Sequence, residues 1–192
     1  MPPVLSGPTV TTQWLADHLG SDDLVILDAT VLVVRAASDT PVFVAGFERY
    51  LLDGHVPGAV FANLVDVFNG PGGGFPRPDA AAFGQAAASV GIRESSAVVA
   101  YDSEDGMWAA RLWWLFRSYG FASIAVLDGG LRAWLAEGRE TDTGIVKPGT
   151  GSIVAVPLPD GWAHQADVDR VAAAGRPPAP PRRRANHAVA AR

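Results

Sequence analysis

With 192 residues, 48% of them hydrophobic and 18% charged, the chain has the make-up of one globular domain and is too short for two full α/β domains. It contains no cysteine, which excludes disulfides, cysteine metal sites and any thiolate or persulfide chemistry carried by this chain alone. The net charge of −5 conceals a split: the last 17 residues carry five Arg and no acid, which leaves residues 1–175 at −10 and argues against nucleic acid as a partner.

At the amino end, Met1-Pro2-Pro3-Val4 has neither a basic start nor an apolar core, so a signal peptide is not expected. No apolar run approaches a membrane span, and the expectation is a cytoplasmic protein. Thr11-Thr12 supplies an N-cap for a short helix that stops at Gly20. Leu24 to Asp28 reads as a buried strand ending in a carboxylate, and Phe43 to Leu52 carries apolar residues at helical spacing. His55-Val56-Pro57-Gly58 is a turn, with Pro fixing φ and Gly open to positive φ, before a short strand at Ala59–Ala62. Residues 69–78 are a Gly/Pro loop, and Asp79 caps an Ala-rich helix that runs to Val90-Gly91.

Residues 96–130 then set the architecture. An apolar run, Ala97–Tyr101, ends in the acidic loop Asp102–Asp105; a Trp-rich helix covers Met107–Tyr119; a second apolar run, Ala122–Leu127, ends in Asp128-Gly129-Gly130. Strand, loop, helix and strand in that order form a right-handed βαβ unit. Leu131 to Glu137 adds one more short helix, closed by Gly138. The fold class predicted is α/β: a mostly parallel sheet of four or five strands with helices on both faces, over residues 9–138. Residues 139–160, rich in Gly, Pro and Thr, read as a linker or extended arm, and Trp162–Ala174 as a helix capped by Asp160. From Arg176 four prolines in five residues forbid helix and central strand alike, so residues 176–192 are expected to be a disordered Pro/Arg tail.

Chemistry in such sheets sits at the carboxyl ends of the strands, where this chain places Asp28, Asp102 and Asp128. Asp102 as a phosphoryl nucleophile or Mg²⁺ ligand would want a second acid two residues on, and Ser103-Glu104 does not supply that spacing cleanly; a solvated or backbone-bonded carboxylate is the simpler reading, with no metal. His55 before a Pro-Gly turn pins loop backbone more readily than it serves as a base. Gly72-Gly73-Gly74 has no preceding strand and no following Lys-Ser/Thr, so it is a surface loop and not a phosphate loop. Trp113 and Trp114 diverge by about 100° on one helix, so the tryptophans divide between the core and an outer face. Arg111 suits a surface or interdomain ion pair, and Arg182–Arg184 belong to the tail.

Four motifs, in order, resemble the rhodanese superfamily: Val25-Ile26-Leu27-Asp28-Ala29; Gly54-His55-Val56-Pro57-Gly58-Ala59; Val98 to Asp102 with Ala109 to Trp114; and Val126-Leu127-Asp128-Gly129-Gly130 with Trp134. The match is closer to the N-terminal half of the two-domain thiosulfate/3-mercaptopyruvate sulfurtransferases. The resemblance implies a rhodanese-like fold, no cofactor, and structural roles for Asp28, His55, Pro57, Gly58, Asp128, Gly129 and Gly130. It implies a cleft or interdomain face at Met107, Trp108 and Arg111, with Val31 where the family often has an aromatic. In the family the second domain's Cys carries the sulfur. Here Asp102 occupies the matching position, so no catalytic residue is expected, and Glu104 and Asp105 add to its repulsion of thiosulfate. Residues 162–174 resemble the first helix of an incomplete second domain, as a truncation or frameshift would leave it. Two functions are expected of such a chain: the inactive half of a sulfurtransferase, or a binding module that docks a catalytic rhodanese domain, with self-association as a further outcome. Neither nucleic acid nor membrane is an expected partner.

Overall fold

The structure is a computed structural model that describes residues 3–35, 40–159 and 161–175. The cap expected at Asp160 and the tail at 176–192 lie outside the described residues. The chain divides into two compact units, Met1–Gly161 and Trp162–Arg192.

The first unit holds a five-stranded sheet in the order β1–β7–β6–β2–β5, parallel at each pairing of neighbours: β1 (Thr9–Val10), β2 (Leu24–Asp28), β5 (Val60–Phe61), β6 (Ala97–Tyr101) and β7 (Ile124–Leu127). The central pair β2–β6 is in register over its whole length, from Leu24↔Ala97 to Asp28↔Tyr101, which sets Asp28 opposite the residue before Asp102. Strand β6 is buried throughout, as a central strand of a covered parallel sheet must be. Val99 and Tyr101 pack with Leu15 of α1 (Thr12–His18) and with Leu131 and Trp134 of α5 (Gly130–Ala136). The opposite face carries α3 (Ala80–Ser89) and α4 (Met107–Ser118), where Phe68, Phe83 and Phe116 stack edge to face or tilted. Each such buried side chain contributes about 1.5–3 kcal/mol.

The caps follow the sequence. Thr11 Oγ1 accepts from Trp14 N–H at 3.1 Å, and Asp79 Oδ1 accepts from Ala82 N–H at 2.8 Å. One stretch departs from expectation. Residues 43–45, read as the start of a helix, belong to β4 (Pro41–Ala45), which pairs antiparallel with β3 (Val31–Arg35); the helix α2 spans only Phe47–Leu52. Val31 opens this hairpin and is buried.

Residues 139–159, expected as a linker or arm, run extended across the first unit. Asp142 and His55 exchange backbone hydrogen bonds at 2.9 and 3.0 Å, Gly144 N–H bonds Leu51 O, Ser152 N–H bonds Ile92 O, and Leu158 N–H bonds Ser118 O. Gly151 is packed so closely that a β-carbon there would lie 2.3 Å from Ala88 O. In the second unit, α6 (Gln165–Ala173) starts at His164, whose backbone N–H donates to the Asp167 carboxylate at 3.0 Å. None of the described helices is long and apolar enough to cross a membrane.

Candidate functional site

The carboxyl end of β6 leads into the loop 102–106 and then α4, and Asp102 sits at that junction, 1% exposed. Its carboxylate is bound by the loop that follows it. Oδ1 accepts from the backbone N–H of Glu104 and Gly106, both at 2.9 Å; Oδ2 accepts from Trp108 at 3.0 Å and Ala109 at 2.9 Å. Four N–H groups thus converge on one anionic side chain, two of them from the first turn of α4, where unpaired amides and the helix dipole favour negative charge.

The rest of the loop is tied to its neighbours. Ser103 N–H donates to Thr30 Oγ1 at 3.1 Å, Arg49 of α2 pairs with the Glu104 carboxylate, and Arg132 of α5 donates to Glu104 O. Leu131 N–H reaches Asp102 O at 3.1 Å. Gly106 takes φ +88 at the N-cap of α4, a conformation that suits glycine.

Asp28 lies beside this junction, buried at the end of β2. It accepts from Thr30 N–H at 2.9 Å and from the Tyr101 hydroxyl. Burial pushes its pKa above the ordinary value, helped by the nearby Asp102 and opposed by the bonds from Thr30 and Tyr101. Tyr101 is raised well above the usual phenol range, first by burial and then by Asp28. Its hydroxyl also accepts from Val56 N–H at 3.1 Å, which joins the strand ends to the His55–Gly58 turn. The His55 ring is fully buried and stacked on Tyr50 at 4.1 Å; Nδ1 lies 3.0 Å from Val56 O and Nε2 3.2 Å from Gly144 O. It holds backbone in place and has no path to solvent. Gly58 N–H donates to Asp142 at 3.3 Å, with Pro57 half-buried before it.

Two features flank the loop. On one side an open hollow of about 500 Å³ is lined by Thr9, Asp105, Asp128, Gly129 and Arg132. Asp128 and Gly129 are exposed there, whereas Gly130 is packed against Asp102 O. On the other side Phe43 and Phe75 meet Trp108, with ring centroids 5.7 and 4.9 Å from it. Of the residues expected at a cleft, Met107 is 51% exposed, Arg111 half-buried and Trp108 buried. Arg111 donates to Phe75 O and lies over the Phe75 ring at 5.6 Å, and burial lowers its pKa. Phe75 itself takes φ +57, an uncommon conformation for an aromatic residue. Thr30, Arg49, Arg132, Phe43 and Phe75 were not singled out from the sequence. Only Thr30, two residues past a strand-end Asp, carried a local signal, that of an Asx turn.

Chemically this is a loop without a nucleophile for sulfur. A carboxylate cannot take up a sulfane sulfur, and among the described residues no group of three or more His, Cys, Asp or Glu is placed to hold a metal.

Comparison with known proteins identifies the family. The family model for the rhodanese-like domain matches residues 11–137. The chain is 32% identical over 150 residues to the 3-mercaptopyruvate sulfurtransferase of Rattus norvegicus, covering 74% of this chain and 48% of that protein. It is 32% identical over 139 residues to thiosulfate/3-mercaptopyruvate sulfurtransferase 2 of Arabidopsis thaliana, covering 72% and 39%. The crystal structure of SseA from Escherichia coli, a 3-mercaptopyruvate sulfotransferase of the rhodanese fold, superposes with a TM-score of 0.76 at 24% identity, covering 88% of this chain and 63% of that one. The chain spans about half the length, or less, of these curated relatives. With the family's model matched across most of the sheet and an aspartate at the strand end, the chain belongs to the rhodanese family and carries no cysteine.

Proposed function

We propose that this chain is the non-catalytic half of a thiosulfate or 3-mercaptopyruvate sulfurtransferase and transfers no sulfur by itself. The observation that carries this reading is the Asp102 carboxylate held by four backbone N–H groups at the end of β6. An anionic donor such as thiosulfate would meet N–H groups already engaged and a negative charge already in place. A cytoplasmic location is part of the same proposal, in keeping with described helices none of which is long and apolar enough to cross a membrane. Purified chain incubated with thiosulfate and cyanide is expected to form no thiocyanate above the protein-free blank. Turnover above blank would overturn the reading.

A second reading is a docking module that binds a cysteine-bearing rhodanese domain through the strand-end loop and the face beside it. It is favoured by the exposure of Met107 and Phe43 beside the loop. Gel filtration of the chain mixed with such a domain tests it, and separate elution of the two counts against it.

A further inference from the structure

Both ring nitrogens of His55 face carbonyl oxygens: Nδ1 lies 3.0 Å from Val56 O and Nε2 lies 3.2 Å from Gly144 O. A carbonyl oxygen only accepts, whereas a neutral imidazole offers one N–H and one lone pair. A neutral ring would therefore set its lone pair against one of these two oxygens. Only the imidazolium, with a proton on each nitrogen, satisfies both.

The surroundings suit a cation. The ring is fully buried, so a charge on it needs compensation close by. Tyr50 offers its face, with the two rings 13° from parallel and their centroids 4.1 Å apart, and an aromatic face attracts a cation. The other ionisable groups on the elements around the ring are Asp28 at the end of β2, Tyr101 of β6, Arg49 of α2, Asp53 after α2 and Asp142 of the extended segment. Asp28 and Asp142 are close enough to act on Tyr50, on which the ring lies. Tyr50 and Tyr101 are both raised by burial and bring no charge at neutral pH. Arg49, the one cation among them, is engaged by Asp53 and Glu104.

The ring sits where the extended segment crosses α2. Asp142 is fastened there by its backbone pairing with His55, Gly144 by its N–H to Leu51 O and its carbonyl to Nε2, and Val146 by its N–H to the Tyr50 hydroxyl at 3.2 Å. Ile145 and Val146 thereby form one wall of a hollow of about 200 Å³, with Phe47, Tyr50 and Phe61 opposite.

We propose that His55 is an imidazolium in the folded chain and serves as a proton-operated clasp: charged, it holds residues 143–147 across this hollow, and neutral, it releases them at Gly144. On losing one proton the ring keeps the other at Nδ1, for the nearer Val56 O, and turns the Nε2 lone pair on Gly144 O. Folding favours the second proton, so the clasp is closed on the acid side and opens as pH rises through the titration of the folded ring. This goes beyond the sulfur-transfer reading and does not depend on it.

The test, on the full chain, combines proton–nitrogen correlation spectra of the imidazole with backbone hydrogen exchange between about pH 5 and 9. At the acid end both His55 ring nitrogens are expected to carry protons. As the ring titrates, exchange at the Gly144 and Val146 N–H groups is expected to accelerate about tenfold or more beyond its intrinsic rise with pH, as fits the loss of a bond from a charged donor. The Asp142 N–H, held by backbone alone, is expected to keep its protection. In His55→Gln, whose side chain does not titrate, the ratio of Val146 to Asp142 protection is expected to be flat across the range. The spectra and exchange of the unsubstituted chain decide the matter if that variant fails to fold. A ring that carries one proton at every pH, a ring that does not titrate in this range, or protection at Gly144 and Val146 that does not follow its titration would each overturn the proposal.

Discussion

Gly130 is pressed against Asp102. A β-carbon at Gly130 would lie 2.6 Å from the Asp102 carbonyl oxygen, and Gly130 itself takes φ +57. The family motif at 128–130 thus closes directly onto the strand end that carries the loop. Gly130→Ala meets backbone it cannot displace and a left-handed conformation it does not favour, so it is expected to cost about 2–3 kcal/mol. Urea unfolding measures this; a loss within a few tenths of a kcal/mol would show that the contact yields.

Asp102→Ala removes the acceptor from four N–H groups, two of them buried. The expected loss is about 3 kcal/mol or more, since each buried donor left unpaired costs about 1–3 kcal/mol. Asp102→Asn is expected to recover only part, because its amide nitrogen cannot accept from either pair of donors. Hydrogen exchange at residues 104–109 is expected to accelerate in both variants. Unchanged protection there would mean that the loop holds its shape without the carboxylate.

Asp28 makes stability depend on pH. Burial raises its folded pKa above the ordinary 3.8. Folded protein therefore binds this proton more tightly than unfolded protein does. The stabilisation is fully present below 3.8 and is lost as pH rises through the folded value. Urea unfolding of the chain and of Asp28→Asn, from acid to neutral pH, is expected to show the unsubstituted chain losing stability relative to the variant as pH rises through that window. A difference that grows in the other direction would contradict the assignment.

Ending the chain at Gly138, about where the family model ends, is expected to abolish cooperative unfolding. That cut removes Glu140 O from the Trp134 indole, Gly144 O from His55, and the Asp142 backbone from its pairing with His55. Buried partners left behind cost about 1–3 kcal/mol each. Ending at Gly161 is expected to leave the urea midpoint of the first unit in place. Limited proteolysis of the two truncations gives the same comparison, and equal resistance would show that 139–159 contributes nothing.

The regular elements were legible because their signals are local. Asp79 before an alanine run and five consecutive apolar residues at Ala97–Tyr101 each announce what they become. The hairpin was not, because Phe43, Phe47, Tyr50 and Leu51 fall at helical spacing while Val42 to Ala45 are in fact held by pairing with β3. Segment 139–159 offers only a short Val/Ile alternation to read, and its hydrogen bonds go to carbonyls of loops and helix ends and to side chains such as Glu94 and Tyr50. At the site, the position of Asp102 could be read, but its surroundings could not. Which N–H groups bind its oxygens is decided by how the loop turns into α4 and by Arg49, Thr30 and Arg132, brought in from elsewhere in the chain.

Strand β1 pairs with β7, Thr9 to Val126 and Val10 to Leu127, so one border of the sheet joins segments more than a hundred residues apart. A polypeptide leaving the ribosome amino end first cannot finish that border until more than a hundred further residues have followed β1. The earliest strand to be made must wait, unpaired, for the last one.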